Sequence, residues 1–332
     1  MGWTIGNYAL SQAQMNANAV EVYKYFSGRG WSLNAIAGIL GNMQSESYVN
    51  PGVWQSLNEG NYSGGFGLVQ WTPATNYTNW ATANGYSITD PNGQLYWIDA
   101  LSESTGQWIP TSSYNMSWGA FKTSGSSPED LASAFLKNFE RAGVEVESAR
   151  RSQARSFYNL LSQYGANSKA IESAVEWAIG IANDNSHGYD QGNRWGPDYD
   201  CSSLLITAYQ QAGIKVKDAG ATYTGNMYAA FKTCGFEDVT GLVNLSSGSG
   251  VQRGDILLNV ASHTAMSIGN GQVVQASQNE NGGATGGATG DQTGREIWCT
   301  SYYNFPWDYV LRLPGGGAVT PTGVYIVRWI PG

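Results

Sequence analysis

Charged residues are scarce in this sequence. The 332 residues include 17 Lys and Arg and 25 Asp and Glu, so 13% are charged and the net charge is -8. Proteins that bind nucleic acids or anionic membrane surfaces carry clusters of basic residues. The low and acidic charge therefore argues against both kinds of partner. The sequence also lacks an apolar run long enough to span a bilayer.

Cysteine and histidine are also rare, with three Cys and two His in the whole sequence. None of them lies in a spacing typical of metal ligands, so we expect neither a structural zinc nor another cofactor. Three cysteines cannot all pair within one chain. If Cys201 is a nucleophile, Cys234 and Cys299 either form a disulfide or stay reduced, and the reduced state is favoured.

The N-terminal residues lack a basic segment followed by an apolar run, so the sequence predicts no secretory signal. Aromatic residues, in contrast, are abundant, with 13 Trp and 20 Tyr. Aromatic faces stack on sugar rings, and this composition suits a glycan ligand, although large cores use aromatics too. The length favours two domains of ordinary size.

The segment from Asp200 to Ser203 is the most informative part of the sequence. It leads into the apolar run 204–209, which predicts a buried helix beginning near Cys201. At a helix start, unpaired N–H groups and the helix dipole favour negative charge, so we expect the Cys201 thiolate to be stabilised. His263 opens a predicted strand. A thiol and an imidazole placed in this way form a nucleophilic pair.

A hairpin follows His263, with its turn at 269–271 between two predicted strands. Gln275 on the second strand is expected beside His263 on the same face of the sheet, where it could fix the imidazole tautomer. Gln278 and Asn279 are alternatives for that role. His187, in a polar loop before the cysteine, is the other histidine that could act as base.

Four segments carry a specific resemblance: Asp-Cys-Ser-Ser, Gly-Asp-Ile, His-Thr-Ala-Met-x-Ile-Gly-Asn-Gly and Val-Val-Gln-Ala. Their order resembles the NlpC-type papain-like cysteine peptidases, which cut peptidoglycan stem peptides. The resemblance implies an α+β domain with a central antiparallel sheet, and a triad of Cys201, His263 and Gln275. Tyr199 and Asp200 are assigned to substrate binding. The third triad residue is often histidine in the family; glutamine can orient the ring but carries no charge.

The first half of the sequence contains a second catalytic candidate. A predicted helix starts after Ser32, a suitable N-cap, and ends near Glu46. The negative end of the helix dipole should modestly raise the pKa of a carboxylate there, which suits a general acid. In the segment that follows, glycines let the backbone approach a ligand, and Gln70 and Trp71 can hydrogen-bond and stack on a sugar. These candidate substrate-binding residues are Gly65, Gly67, Gln70 and Trp71.

The motif Gly-Asn-Met-Gln-Ser-Glu-Ser-x-x-Asn-Pro, followed by Gly-Phe-Gly-Leu-Val-Gln-Trp-Thr, resembles the phage tail lysozyme family. These proteins are relatives of goose-type lysozymes and lytic transglycosylases. The resemblance implies a mainly α lysozyme-like domain in which Glu46 is the catalytic acid. The sequence does not choose between hydrolysis and transglycosylation. A hydrolase of this kind is expected to have a second catalytic carboxylate, and the candidates are Glu59, Asp90, Asp99 and Glu140. For Glu140, an ion pair with Arg141 is the favoured interpretation.

The sequence thus predicts a multidomain chain: a lysozyme-like domain at 1–165, a cysteine peptidase domain at 166–314, and a linker with a strand-like tail at 315–332. A short linker at 165–168 would join the two domains. The predicted function is a bifunctional peptidoglycan hydrolase that cleaves between N-acetylmuramic acid and N-acetylglucosamine and also cuts stem peptides. The alternatives are an N-acetylmuramoyl-L-alanine amidase in the second domain, and a phage tail or wall-binding structural module with a degenerate site.

The expected partners are glycan strands and stem peptides, with other phage tail or wall-binding modules as further candidates. The expected place of action is the bacterial cell wall. A phage tail, release through a holin, or secretion with a signal absent from this sequence would each bring the protein there.

Overall fold

The computed structural model describes residues 2–141 and 146–315. The expected strand-like tail therefore lies almost wholly outside the described residues. The chain divides into two compact units between Gln163 and Tyr164, and each unit is described by itself. Among the residues that the structure describes, no helix is both long and apolar enough to cross a membrane.

The first unit is helical. Its helices are α1 (Gln12–Ser27), α2 (Leu33–Ser47), α3 (Thr75–Ala83), α4 (Pro91–Tyr96), α5 (Trp118–Lys122), α6 (Pro128–Phe135) and the first part of α7 (Glu147–Ala182). Short irregular helical turns occur at Gln55–Leu57, Trp97–Leu101 and Leu136–Glu140.

Serine side chains define where the main helices of this unit begin. Ser11 caps α1 in a capping box with Gln14. Ser32 accepts a hydrogen bond from the Ala35 N–H at the start of α2, and Ser127 caps α6 in the same way. Each cap satisfies a backbone donor that has no partner inside its helix. The cap expected at Ser32 from the sequence is therefore present.

Helix α2 lies at the centre of the first core. Ile36, Ile39, Leu40 and Met43 are fully buried on it, and α6 packs against it. Much of the aromatic content also enters this core, in a cluster formed by Trp31, Trp108, Trp118, Phe121, Phe135 and Phe139. Packing against other rings thus accounts for many of the tryptophans that composition alone could assign to sugar binding.

Residues 165–168 are helical, so the linker expected there is absent. They lie inside α7, which runs without a break from Glu147 to Ala182. A glycine costs an exposed helix roughly 1 kcal/mol relative to alanine. Buried positions on both sides of the segment offset that cost, because Phe157 and Leu161 join the first core and Ile171 and Ala174 join the second.

The second unit combines helices with one antiparallel sheet. It contains the last part of α7, α8 (Cys201–Gln211), α9 (Thr224–Thr233), β1 (Glu237–Asp238), β2 (Ile256–Asn259), β3 (His263–Gly269), β4 (Gln272–Ala276), β5 (Ile297–Ser301) and β6 (Tyr309–Arg312). The strand order is β1-β6-β2-β3-β4-β5, and every pair of neighbours is antiparallel. The hairpin of β3 and β4 turns through Asn270, which has a positive φ of 53°.

Alternation along the strands gives the sheet two different faces. Ile256, Met266 and Val274 point into the larger core, together with side chains of α8 and α9. Leu257, Ala265 and Val273 point to the opposite face, which an aromatic segment at 302–307 covers. His263 and Gln275 share the parity of Ala265 and Val273, so both belong to the face under the aromatic segment.

A buried ion pair joins β6 to the turn before β2. The Arg312 guanidinium donates to Asp255 from Nε at 2.8 Å and from Nη2 at 2.6 Å. Asp255 also accepts from the Gln252 N–H at 2.7 Å. Burial raises the pKa of the Asp255 carboxyl, and Arg312 opposes that rise. The pair therefore holds β6 to the turn before β2 at the expense of dehydrating two charges.

Candidate functional sites

Glu46 lies in the last turn of α2, and the C-cap residue that follows the helix, Tyr48, has the left-handed conformation (φ 57°). Its Oε1 is 2.5 Å from Nη2 of Arg150, a residue of α7. The Arg150 side chain is only 8% exposed and that of Glu46 is 20% exposed. Arg150 also donates to Oδ1 of Asn42 at 3.1 Å, one turn earlier on α2. The guanidinium thus holds the Glu46 carboxylate against the helix and leaves part of it accessible.

Glu140 is a second carboxyl at this site. Its Oε1 is buried and has no hydrogen-bond partner among the described residues. Burial and the negative charge of Glu46 raise its pKa well above the usual value, while Arg150 and Arg141 act in the opposite direction. The Glu140 carboxyl therefore keeps its proton to a higher pH than a solvated carboxyl does, and it lies within electrostatic reach of Glu46.

The ion pair expected between Glu140 and Arg141 does not form in the described structure. Arg141 instead donates to the backbone oxygens of Gln107 and Asn138. The other three candidates for a second carboxylate have different surroundings. Asp99 bonds to Trp31 and Lys122, Asp90 caps α4, and Glu59 is exposed.

The side chains of the glycine-rich segment after Glu46 make internal contacts. Trp71 is 3% exposed and stacks on Tyr77 in the core, so its ring offers no face to a sugar. The Gln70 amide donates to the backbone oxygens of Val53 and Gly67. A Cβ on Gly65 would lie 2.8 Å from the Gln70 side chain, and one on Gly67 would lie 2.7 Å from Gln94. These glycines allow close internal packing, which the sequence alone does not distinguish from close approach to a ligand.

In the second unit, Cys201 is the first residue of α8, and Asp200 caps the helix in a capping box with Ser203. Arg194 binds Asp200 at 2.8 Å and the Ser202 hydroxyl at 2.6 Å. These contacts engage Asp200 in holding the helix start. Tyr199 is also internal, with its ring edge-on to Trp177. Neither residue presents the free side chain expected of a substrate-binding group.

The Cys201 thiol is protonated at neutral pH, contrary to the expectation of a stabilised thiolate. The side chain is 5% exposed, and burial together with the Asp200 carboxylate raises its pKa to about 11. Backbone groups of Thr264 and Ser202 act against that rise. Desolvation therefore outweighs the favourable end of the helix dipole at this position.

His263 and Gln275 lie together on the sheet face under the aromatic segment. His263 Nε2 is 2.8 Å from Gln275 Oε1 and 3.2 Å from the hydroxyl of Tyr303. The Tyr303 hydroxyl in turn donates to the same oxygen of Gln275. Burial lowers the pKa of His263, so the imidazole is neutral at neutral pH. The rings of Phe305 and Trp307 lie 5.6 Å and 5.9 Å from it.

Two observations bring Cys201 close to this network. The backbone of Thr264, the residue after His263, hydrogen-bonds to the Cys201 thiol, and the charge of Cys201 acts on the pKa of Tyr303. Within the described part of the chain, no hydrogen bond joins the thiol directly to His263, and His263 Nδ1 has no partner. The nitrogen that could receive the thiol proton is therefore Nδ1.

The alternative residues are engaged elsewhere. His187 Nδ1 lies 2.6 Å from the Pro197 carbonyl oxygen. Asn279 Oδ1 accepts from backbone N–H groups of its own loop, and Gln278 is exposed. Cys201, Cys234 and Cys299 are all free thiols. No group of three or more His, Cys, Asp or Glu side chains in the described ranges could hold a metal ion.

Arg150 and Tyr303 are the functional candidates that sequence reasoning missed. Arg150 is distant from Glu46 in sequence and is one of several arginines at the start of α7. Tyr303 lies in irregular chain between β5 and β6, where no periodicity predicts a direction for its side chain. Both act through tertiary contacts that no local pattern encodes.

Comparison with known proteins assigns each half of the chain separately. Residues 17–161 match the model of the Phage tail lysozyme family. Residues 196–274 and 273–320 match that of the Endolysin-like domain. The chain is also 44% identical over 160 residues to "Morphogenesis protein 1" of Bacillus phage B103, a match that covers 48% of this chain and 43% of that protein. The chain thus spans less than half the length of that curated relative.

The chain therefore carries a helical, lysozyme-like region followed by an endolysin-like domain that contains an antiparallel sheet. Glu46, Arg150 and Asn42 fall inside the first match. Cys201, His263, Gln275 and Tyr303 fall inside the second.

Proposed function

We propose that this chain is a phage protein that degrades peptidoglycan at two separate sites. The Glu46 site would cleave the glycan between N-acetylmuramic acid and N-acetylglucosamine, and the Cys201 site would cut the stem peptide as an endopeptidase. The observation that carries the proposal is the hydrogen-bonded His263–Gln275 pair close to Cys201, in a chain whose other half matches a lysozyme family. Glycosidic bonds and stem-peptide bonds belong to the same polymer, so both sites would act on one substrate.

At the glycan site we assign proton donation to Glu46 and proton storage to Glu140. Glu46 is the partly exposed member of the pair, whereas Glu140 has a buried oxygen and a raised pKa. Two nearby carboxylates do not both ionise readily, so the pair retains a proton at a pH where a solvated carboxyl would lose it. Glu46 passes this proton to the glycosidic oxygen as the bond from that oxygen to the anomeric carbon breaks. A water molecule then adds to the anomeric carbon and returns one proton to the carboxylate pair.

Exposed aromatic rings in this unit suit glycan stacking better than Trp71 does. Tyr48, two residues after Glu46, is 45% exposed. Its left-handed backbone conformation is uncommon for a tyrosine. Tyr62 is exposed as well and packs edge-on against Trp54.

New reducing ends released from purified peptidoglycan test the glycan site. We expect Glu46→Gln to abolish their release and Glu59→Gln, an exposed glutamate in the same unit, to leave it unchanged. Wild-type protein that cuts glycan without creating reducing ends would instead indicate transglycosylation. Wild-type rates in Glu46→Gln would contradict the assignment.

At the peptide site, both reacting groups start neutral. His263 Nε2–H donates to Gln275 Oε1, which leaves Nδ1 free to take the thiol proton. The sulfur then bonds to the substrate carbonyl carbon, and the Cys201 N–H at the start of α8 can donate to the developing oxyanion. The C–N bond breaks, and the amine leaves with the proton from Nδ1. Water, deprotonated by the same nitrogen, hydrolyses the thioester and regenerates the thiol.

New amino groups released from purified peptidoglycan test this site. We expect Cys201→Ala to abolish them, and Cys234→Ala, a free cysteine elsewhere in the unit, to preserve them. An amidase would release stem peptides with L-alanine at the new N-terminus, while an endopeptidase would expose a residue further along the stem. If wild-type protein released neither reducing ends nor amino groups, the enzymatic proposal would fail in favour of a wall-binding or tail structural module.

A further inference from the structure

Tyr303 takes part in the histidine network although nothing in the proposed reaction requires it. Its hydroxyl donates to Gln275 Oε1 and lies 3.2 Å from His263 Nε2. Its ring belongs to the aromatic segment that covers this face of the sheet, 6.2 Å from Phe305 and 5.8 Å from Trp307. One hydroxyl therefore contacts both the proposed base, His263, and the residue that orients it, Gln275.

The orientation of the Gln275 amide decides which histidine nitrogen carries the proton. With Oε1 towards His263, Nε2 must be the protonated nitrogen, and Nδ1 has a free lone pair. With the amide reversed, its NH2 group would donate to Nε2, the proton would move to Nδ1, and the imidazole could not accept from the thiol. Glutamine alone has no preference between these states, because both ends of the amide form hydrogen bonds.

The Tyr303 hydroxyl makes these two states unequal in energy. Burial, with further contributions from Cys201 and Tyr302, raises the pKa of Tyr303 to about 12, so its hydroxyl stays protonated throughout the working pH range. In the reversed state the NH2 group would face the hydroxyl, and the hydroxyl proton would have to compete with that NH2 group for the single lone pair of Nε2. The state with Oε1 towards both the hydroxyl and His263 is therefore favoured.

We propose that Tyr303 is a positioning residue that locks the Gln275 amide, and through it the Nε2–H tautomer of His263. Gln275 then orients the imidazole as a neutral third residue, because Tyr303 fixes the direction of its amide. The consequence for catalysis rests on the proposed function of the Cys201 site. The consequence for the tautomer does not.

Tyr303→Phe is the direct test, since it removes the hydroxyl and keeps the ring in the aromatic segment. Measured in a Glu46→Gln background so that only peptide cuts are read, we expect kcat to fall about 10-fold to 100-fold with KM unchanged. This loss is a part of the ~10²–10⁴-fold that a positioned acid or base contributes. Tyr302→Phe is the matched control, because the neighbouring hydroxyl donates to the Leu245 carbonyl oxygen instead.

The ¹⁵N NMR signals of the imidazole give a second readout that needs no substrate. The sequence has only two histidines, so His263 can be assigned with a His187→Gln variant. We expect the wild type and Tyr302→Phe to show Nε2–H alone, and Tyr303→Phe to show a mixture of tautomers. An unchanged tautomer in Tyr303→Phe would overturn the proposal, whether or not kcat falls. If the tautomer shifts but wild-type protein cuts no peptide, the positioning role stands and the proposed function fails.

Discussion

Replacing Gln275 by glutamate gives the sharpest test of how the histidine works. The change places a carboxylate where Oε1 now lies 2.8 Å from His263 Nε2. An opposite charge this close favours the imidazolium and raises a pKa by about 1–3 units. In the wild type, burial lowers the pKa of His263 from 6.5, so the acid limb of the pH profile is expected below that value.

The direction in which the acid limb moves follows from the role of His263 as the base. Protonated His263 cannot accept the thiol proton, so activity falls as the pH drops through its pKa. In Gln275→Glu the imidazolium persists to higher pH, and the acid limb moves up by about 1–3 units, equivalent to about 1.4–4 kcal/mol of stabilisation of the charged form. The assay is kcat/KM for amino-group release against pH, in a Glu46→Gln background.

Gln272→Glu serves as the control, because it adds the same charge to the same strand at the hairpin turn. We expect its acid limb to stay where the wild type has it. An acid limb that does not move in Gln275→Glu, or that moves equally in the control, would refute the idea that His263 is the titrating base and Gln275 its partner.

Three further predictions concern the scaffold. Arg312→Met leaves the Asp255 carboxylate buried without its cation and should cost about 3–5 kcal/mol of unfolding free energy at pH 7. Because burial already raises the pKa of Asp255, this loss should shrink as the pH falls. Urea unfolding followed by thiol exposure in the second unit measures it. Gly41→Ala places a Cβ 2.8 Å from the Ala154 N on α7, and calorimetry should show a loss of about 1–3 kcal/mol from overpacking. Trp71→Phe removes a buried N–H that has no hydrogen-bond partner among the described residues and should leave the glycan-cleavage rate unchanged; a large rise in KM would show that the ring contacts sugar after all.

Local patterns predicted the elements that carry the reactive groups. Serine caps and apolar spacing identified the helix that ends at Glu46, as capping supplies a local signal. The apolar run after Cys201 identified α8. The turn at Asn270 identified the hairpin on which His263 and Gln275 meet. In each case the deciding interactions lie within a few residues of one another.

The environment of each group could not be predicted in the same way. The pKa of Cys201 depends on how much of the second core buries it, and no helix-start argument contains that quantity. Trp71 and its neighbouring glycines look alike in sequence whether they face a ligand or the core. The helix through 165–168 is stabilised by side chains buried in two different cores, which outweigh a glycine and polar residues that locally favour a break.

The two-site claim is tested most directly by mass spectrometry of muropeptides from one purified peptidoglycan digested in parallel by the wild type, Glu46→Gln, Cys201→Ala and the double variant. We expect Glu46→Gln to lose every glycan cut and keep the peptide cuts, Cys201→Ala to do the reverse, and the double variant to yield no products. A single variant that loses both kinds of product while remaining folded, or a double variant that still releases either, would contradict two independent active sites.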